Sequence, residues 1–220
     1  MPREEFDFEL QAIRGALVDM TMMSADAIEK ATTALLERDL QAAITVREID
    51  GRLERTSREV DRRTYQSLAL QAPVARDLRE LVSAMKIAAD IRRMGSLAHH
   101  VAKVAELRYP GGSVPEDLLP IFSKMGAVAA RIASGAGATL DARDAFDAGR
   151  LAIDDDAMDG LRRVLFRRLL SDWPHGIESA IDVALLGRYY ERFADHAVAI
   201  AQMVVYLVTG RVPEDAEPLR

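Results

Sequence analysis

Ile91–Ala102 reads IRRMGSLAHHVA, and 99 residues further on Tyr190–Ala201 reads YERFADHAVAIA. Laid over each other, the two stretches pair Arg93 with Arg192, Ala98 with Ala197 and Ala102 with Ala201. A longer match precedes each of them at a displacement of 105, where ERDLQAA…EIDGRLERTSREVDRR lies over ARDAFDA…IDDDAMDGLRRVLFRR. It pairs Arg38 with Arg143, Asp39 with Asp144, Asp50 with Asp155, Arg58 with Arg163, Arg62 with Arg167 and Arg63 with Arg168. The change of displacement falls in the loop before the last helix, where chain length varies most freely. Matches kept in order along two helices of each half are the mark of an internal duplication.

The repeated unit is helical. Phe6, Leu10, Ile13, Leu17 and Met20 step by four and three, and Ile28, Ala31 and Leu35 resume the stripe, which predicts one long first helix. Asp39 is the expected N-cap of a second helix through about Leu68, and Pro73 breaks the chain before a third that runs to about Leu107. YPGGSVP at Tyr109–Pro115 is the strongest turn cluster and the natural midpoint. Three more helices fit the second half, over about Glu116–Leu140, Arg143–Leu170 and Ile177–Thr209, with SDWPHG before the last and Gly210 as its left-handed cap. No run alternates with period two. The expected fold is all-α: two tandem three-helix bundles related by duplication, over 1–110 and 115–212, with a flexible tail at 213–220.

Bulk properties narrow the function. A net charge of −6 disfavours a nucleic-acid surface. The chain has no cysteine, which removes disulfides, thiolate metal ligands and thiol nucleophiles together. The start MPREEFDFEL is acidic and has no apolar core of a secretory signal, and the longest apolar stretch, near Ala197–Val208, is too short to span a bilayer. A cytoplasmic protein is expected. The sequence has no GxxxxGK[ST] loop, GxSxG elbow or HExxH helix.

The chemistry-bearing residues are acids at one-turn spacing. In the second half Asp155/Asp159 and Glu191/Asp195 are i, i+4 pairs, and two antiparallel neighbouring helices would bring the four together if their registers agree. Oxygen-only ligation suits hard multivalent cations such as magnesium, manganese or iron. The competing reading is a solvated acidic face. What favours a site is that Glu191 and Asp195 stand among Ala184, Gly187 and Val198, small residues that permit close helix approach. In the first half Asp50/Glu54 corresponds to Asp155/Asp159, but Arg92/Ser96 stands where Glu191/Asp195 would be, which leaves Asp50 and Glu54 as weaker metal candidates. His99, one turn beyond Ser96, could add a nitrogen; His196 is rotated about 100° from Asp195 and so need not ligate the same ion. A di-iron carboxylate enzyme needs Glu-x-x-His elements on facing helices, and none is present.

The runs LALQAPVARDLRELVSAMKIAADIRRMG, SLAHHVAKVAELRYP and LLGRYYERFADHAVAIAQ resemble the PhoU family, above all its actinobacterial members. The combination of QAPVARDLR at Gln71–Arg79 with ERxxDHA at Glu191–Ala197 carries the likeness, which covers nearly the whole chain. The resemblance implies two similar three-helix bundles in a cytoplasmic, non-enzymatic, negative regulator of phosphate uptake. It implies two partners, the ATPase subunit of a phosphate ABC transporter and a membrane sensor histidine kinase. The protein would then reach the membrane only through them, and a homodimer is expected. Some family members hold multinuclear metal clusters on E(D)xxxD motifs. Glu191xxxAsp195 and Asp155xxxAsp159 match that motif, Asp50xxxGlu54 matches with the acids exchanged, and Arg92xxxSer96 departs from it. Iron, manganese, magnesium or zinc are the cofactors this implies. The alternative from another class is a helical carboxylate-bridged metalloprotein with an oxidase-like or metal-storage role, and a third is a structural dimer whose acids are surface decoration.

Overall fold

In the computed structural model the described residues are 3–210, and of 152–155 the backbone alone is described. Six α-helices follow one another: α1 (Arg3–Glu37), α2 (Leu40–Gln71), α3 (Ala75–Arg108), α4 (Leu119–Ala142), α5 (Ala145–Leu169) and α6 (Gly176–Thr209). A 3₁₀ turn at Glu116–Leu118 leads into α4, and there is no strand among the described residues.

The helix starts bear out the duplication atom by atom. Asp39 accepts hydrogen bonds from the backbone N–H of Gln41 and Ala42 at 2.8 and 3.1 Å. Asp144 accepts from Phe146 and Asp147 at 2.9 and 3.0 Å. Each aspartate thus satisfies two of the N–H groups that a helix start leaves without partners. The residue before each is an arginine in the left-handed region, Arg38 at φ 60° and Arg143 at φ 52°. A non-glycine residue rarely adopts that conformation. That aligned positions share both the cap and the rare φ is a structural match which composition cannot mimic. The caps also correct two boundaries: the expected helix from Arg143 starts at Ala145, because Arg143 closes α4, and the expected helix from Glu116 begins with a 3₁₀ turn. Gly210, at φ 73°, caps α6 as expected, its N–H reaching the carbonyl of Tyr206.

α1, α2 and α3 pack together as one bundle and α4, α5 and α6 as another; α1 then packs on α4, and α3 on α6. The buried stripe of α2 is narrow: Ala43, Val46, Ile49, Leu53, Ser57, Val60, Thr64 and Ser67, spaced by three and four. That is the pattern of an outer helix. α1 is buried more broadly, because it touches α2, α3 and α4, and one apolar core runs through both bundles without a break. The seam between bundles is close. A Cβ on Gly126 would stand 2.4 Å from Thr32 Oγ1, so only glycine lets α4 approach α1 there. The Thr32 hydroxyl in turn lies 2.8 Å from the fully buried Tyr190 hydroxyl on α6. Burial pushes the Tyr190 hydroxyl well above the usual tyrosine range, so it stays a neutral hydrogen-bonding group.

Candidate functional site

The acidic pair on α6 sits where α5 crosses it. Gly187 faces Leu165 so closely that an added Cβ would be 2.6 Å from Leu165 Cδ2. The small residue therefore permits the close approach expected from the sequence. The same contact recurs in the first bundle between Gly95 on α3 and Leu53 on α2. The result is that Glu191 is buried, 8% exposed, although it is charged. A carboxylate there needs partners.

It finds them in arginines. Arg162 Nη1, reaching across from α5, lies 3.1 Å from Glu191 Oε1, and Arg188 Nη1 lies 2.7 Å from Oε2. The Arg188 contact is an ion pair without hydrogen-bond alignment, and Oε2 is left buried with no hydrogen-bond donor among the described residues. Asp195, one turn on, is held by Arg192 at 3.4 Å. Its carboxyl is pushed above the usual aspartate range, first by burial and then by the charge of Glu191. Two neighbouring carboxylates are thus partly removed from water, incompletely hydrogen-bonded and mutually repelling. The carboxylate oxygens are of the kind a hard cation takes, but each Glu191 oxygen faces an arginine, so a cation would have to displace Arg162 or Arg188 to reach them.

Asp159 is an exposed residue on α5, one turn before Arg162, and its backbone carbonyl accepts from Arg163 Nε at 3.3 Å. The side chain of Asp155 lies outside the described residues. Among the described residues no three His, Asp or Glu side chains converge on one point.

The first bundle handles the same positions differently. Asp50 Oδ2 lies 3.0 Å from His99 Nδ1, and Asp50 Oδ1 accepts from the Ser96 hydroxyl at 3.4 Å. Glu54 pairs with Arg92 at 3.6 Å and with Arg58 at 3.5 Å. Arg92 and Ser96, which interrupt the acidic motif in sequence, therefore face the acids opposite, Arg92 as an ion pair with Glu54 and Ser96 as a hydrogen-bond donor to Asp50. The sequence alone does not reveal this exchange, because it depends on helix register. His196 also has a partner that the spacing does not disclose: Asp90 on α3, 3.0 Å away across the seam between bundles. Tyr189 stacks on His100 across the same seam, with ring centroids 5.2 Å apart. Tyr189 is only partly buried and packs against the edge of the core. Tyr190 is the fully buried one, because α6 is enclosed by α3, α4 and α5 together. Trp173 anchors the loop before α6, its indole N–H donating to the Gly176 carbonyl at 2.8 Å.

A duplicated pair of three-helix bundles, each with an acid-and-arginine face on its second and third helices, defines the class: an all-helical tandem-bundle protein. The chain belongs to the PhoU family. The PhoU domain model matches it twice, over residues 17–105 and 122–204. It is 42% identical to the phosphate-specific transport system accessory protein PhoU homolog 1 of Mycobacterium leprae, covering 97% of this chain and 96% of that one. It is also 42% identical to PhoU homolog 2 of Mycobacterium tuberculosis, over 96% of this chain and 100% of that protein. The crystal structure of PhoU from Pseudomonas aeruginosa superposes with a TM-score of 0.83 at 28% identity, over 94% of this chain and 100% of that one. That of the phosphate transport system regulatory protein PhoU from Streptococcus pneumoniae has the same fold, with a TM-score of 0.83 at 23% identity.

Proposed function

We propose that this protein is a cytoplasmic, non-enzymatic regulator of phosphate uptake that keeps phosphate-starvation genes off when phosphate is plentiful. The observation that carries the reading is end-to-end similarity, at 42% identity, to proteins named as accessory to the phosphate-specific transport system. Its partners are the ATPase subunit of a phosphate ABC transporter and a sensor histidine kinase. No helix among the described residues is long and apolar enough to cross a membrane; in this reading the protein is held at the membrane by those partners. Helical bundles present long, fixed faces, which suits an adaptor that holds two proteins in one geometry.

The acidic face of the second bundle is proposed as a regulatory or structural cation site. Glu191 and Asp195 supply its core, and Asp155 and Asp159 on α5 complete the donor set. When bound, a hard cation supplies positive charge to the carboxylates. The chain's own task is to hold Glu191 and Asp195 one turn apart and largely shielded from water, and Arg162 must yield part of its hold on Glu191. The first face, with Asp50 and Glu54 already engaged by His99, Ser96 and Arg92, is the weaker site.

The function is tested by deleting the gene and measuring phosphate-starvation transcripts in phosphate-replete cells. Derepression that is reversed by the intact gene is expected. Unchanged transcripts, in a strain with no second copy of the family, overturn the reading.

A further inference from the structure

On the seam between the two bundles, away from the α5–α6 acids, lies a cavity of about 270 Å³. Its apolar wall comes from four helices: Leu10, Ile13 and Leu17 of α1, Ile87 of α3, Leu140 of α4, and Val204 of α6. Four arginines, Arg14, Arg76, Arg79 and Arg143, line it against one acid, Glu80. We propose that this cavity binds an amphipathic anion, a small molecule with one carboxylate or phosphate head on an apolar body.

The charges divide into two sets. Glu80 is committed: it pairs with Arg143 and lies 4.0 Å from Arg14. Arg76 and Arg79 form no ion pair among the described residues. The Arg79 Nε–H is buried with no acceptor among the described residues, and its guanidinium lies over the Tyr206 ring, 5.7 Å from the centroid. Gly210 makes room for that guanidinium: a Cβ there would stand 2.6 Å from Arg79 Nη1. A buried donor without an acceptor is costly unless a ligand provides one. α3 begins beside these arginines with no side-chain cap on its first N–H groups, so the helix end adds to the positive field.

The remainder of the wall cannot bind an ion. A free inorganic anion would satisfy Arg76 and Arg79 and leave the apolar floor wet, whereas an anion carrying an apolar body would cover it. Small-molecule pockets are built in this way, mostly apolar with a few polar groups that fix orientation. Because α1 and α3 belong to one bundle and α6 to the other, a ligand here touches both bundles and tightens their packing.

The test is calorimetric titration of the full-length protein with octyl phosphate, decanoate, inorganic phosphate and octanol, each below its aggregation concentration. The expected result is one octyl phosphate or decanoate per chain, bound at least about tenfold more tightly than inorganic phosphate or octanol. The tighter of the two amphiphiles identifies the head group. Arg79→Gln should weaken the amphiphile about tenfold or more, since it removes a charged donor. Arg79 also packs on Tyr206, so folding of that variant is checked by circular dichroism. Arg76→Gln, at an exposed position, provides a second variant that leaves packing alone and should also weaken binding. Arg168→Gln, at the far end of α5, should bind as the wild type does. The proposal is overturned by inorganic phosphate binding as tightly as octyl phosphate, by no amphiphile binding at millimolar concentration, or by Arg76→Gln and Arg79→Gln both binding like the wild type.

Discussion

Removing Arg162 measures how far the chain itself neutralises its buried acid. Glu191 has a side chain only 11% exposed, while its partners Arg162 and Arg188 are 37% and 51% exposed. Breaking a fully buried pair costs about 3–5 kcal/mol, because a charge is left without compensation. A solvent-exposed pair is worth about 0.2–1 kcal/mol. This pair stands between those limits, with a buried carboxylate and half-wet guanidinium groups, and Arg188 remains after Arg162 is removed. Arg162→Gln is therefore expected to cost about 1–2 kcal/mol. In a chain of this size each kcal/mol moves Tm by about 2–4 °C, so the midpoint falls by about 2–8 °C. Glu191→Gln costs less, because the arginines it strands are free to reach water. The assay is thermal and urea unfolding of the wild type, both single variants and the double variant, in the presence of chelator. Coupling of about 1 kcal/mol is expected. Additivity within about 0.3–0.5 kcal/mol would show that Arg162 does not hold Glu191, and the electrostatic account of this face would fall.

Tyr190→Phe removes the hydroxyl that meets Thr32 across the seam; a loss of about 1 kcal/mol in urea unfolding is expected, and no loss would mean that the bond contributes nothing to joining the bundles. Asp195→Asn should raise Tm at pH 7 in chelator, since the folded state raises the pKa of this carboxyl and so disfavours its charge. As pH falls through the raised folded pKa toward the unfolded value of 3.8, the wild type takes up its proton and the advantage of Asn should disappear; an advantage that grows on acidification contradicts this sign. Elemental analysis of gently purified protein should find bound metal that Glu191→Gln with Asp195→Asn removes and Asp50→Asn with Glu54→Gln largely spares. Equal loss from both pairs, or no metal in any preparation, would sink the proposed cation site.

The helices were legible because each carries its own local signals. The 3.6-residue stripe of α1, the capping aspartates, Pro73 and the YPGGSVP cluster need no knowledge of the rest of the chain. The duplication was legible because Arg38–Asp39 and Arg143–Asp144 do the same backbone work in both halves. The acidic residues were visible as i, i+4 pairs, and so were Arg188 and Arg192, each three residues from an acid it serves. What spacing along one helix does not encode is the register between two helices. Arg162 meets Glu191, and Asp90 meets His196, only because α5, α3 and α6 pack at particular heights. The arginines around the cavity come from α1, α3 and the residue that ends α4, so no window of sequence holds them together.

The proposed link between phosphate transport and phosphate sensing requires this chain to contact both the transporter and the kinase directly. Affinity capture of the chromosomally tagged protein from phosphate-replete and phosphate-starved cells, followed by mass spectrometry, tests it most directly. The transporter ATPase and the sensor kinase should both be recovered from replete cells, and the recovery should change on starvation. Recovery of neither from either culture, with the tagged protein intact and functional, would contradict the account.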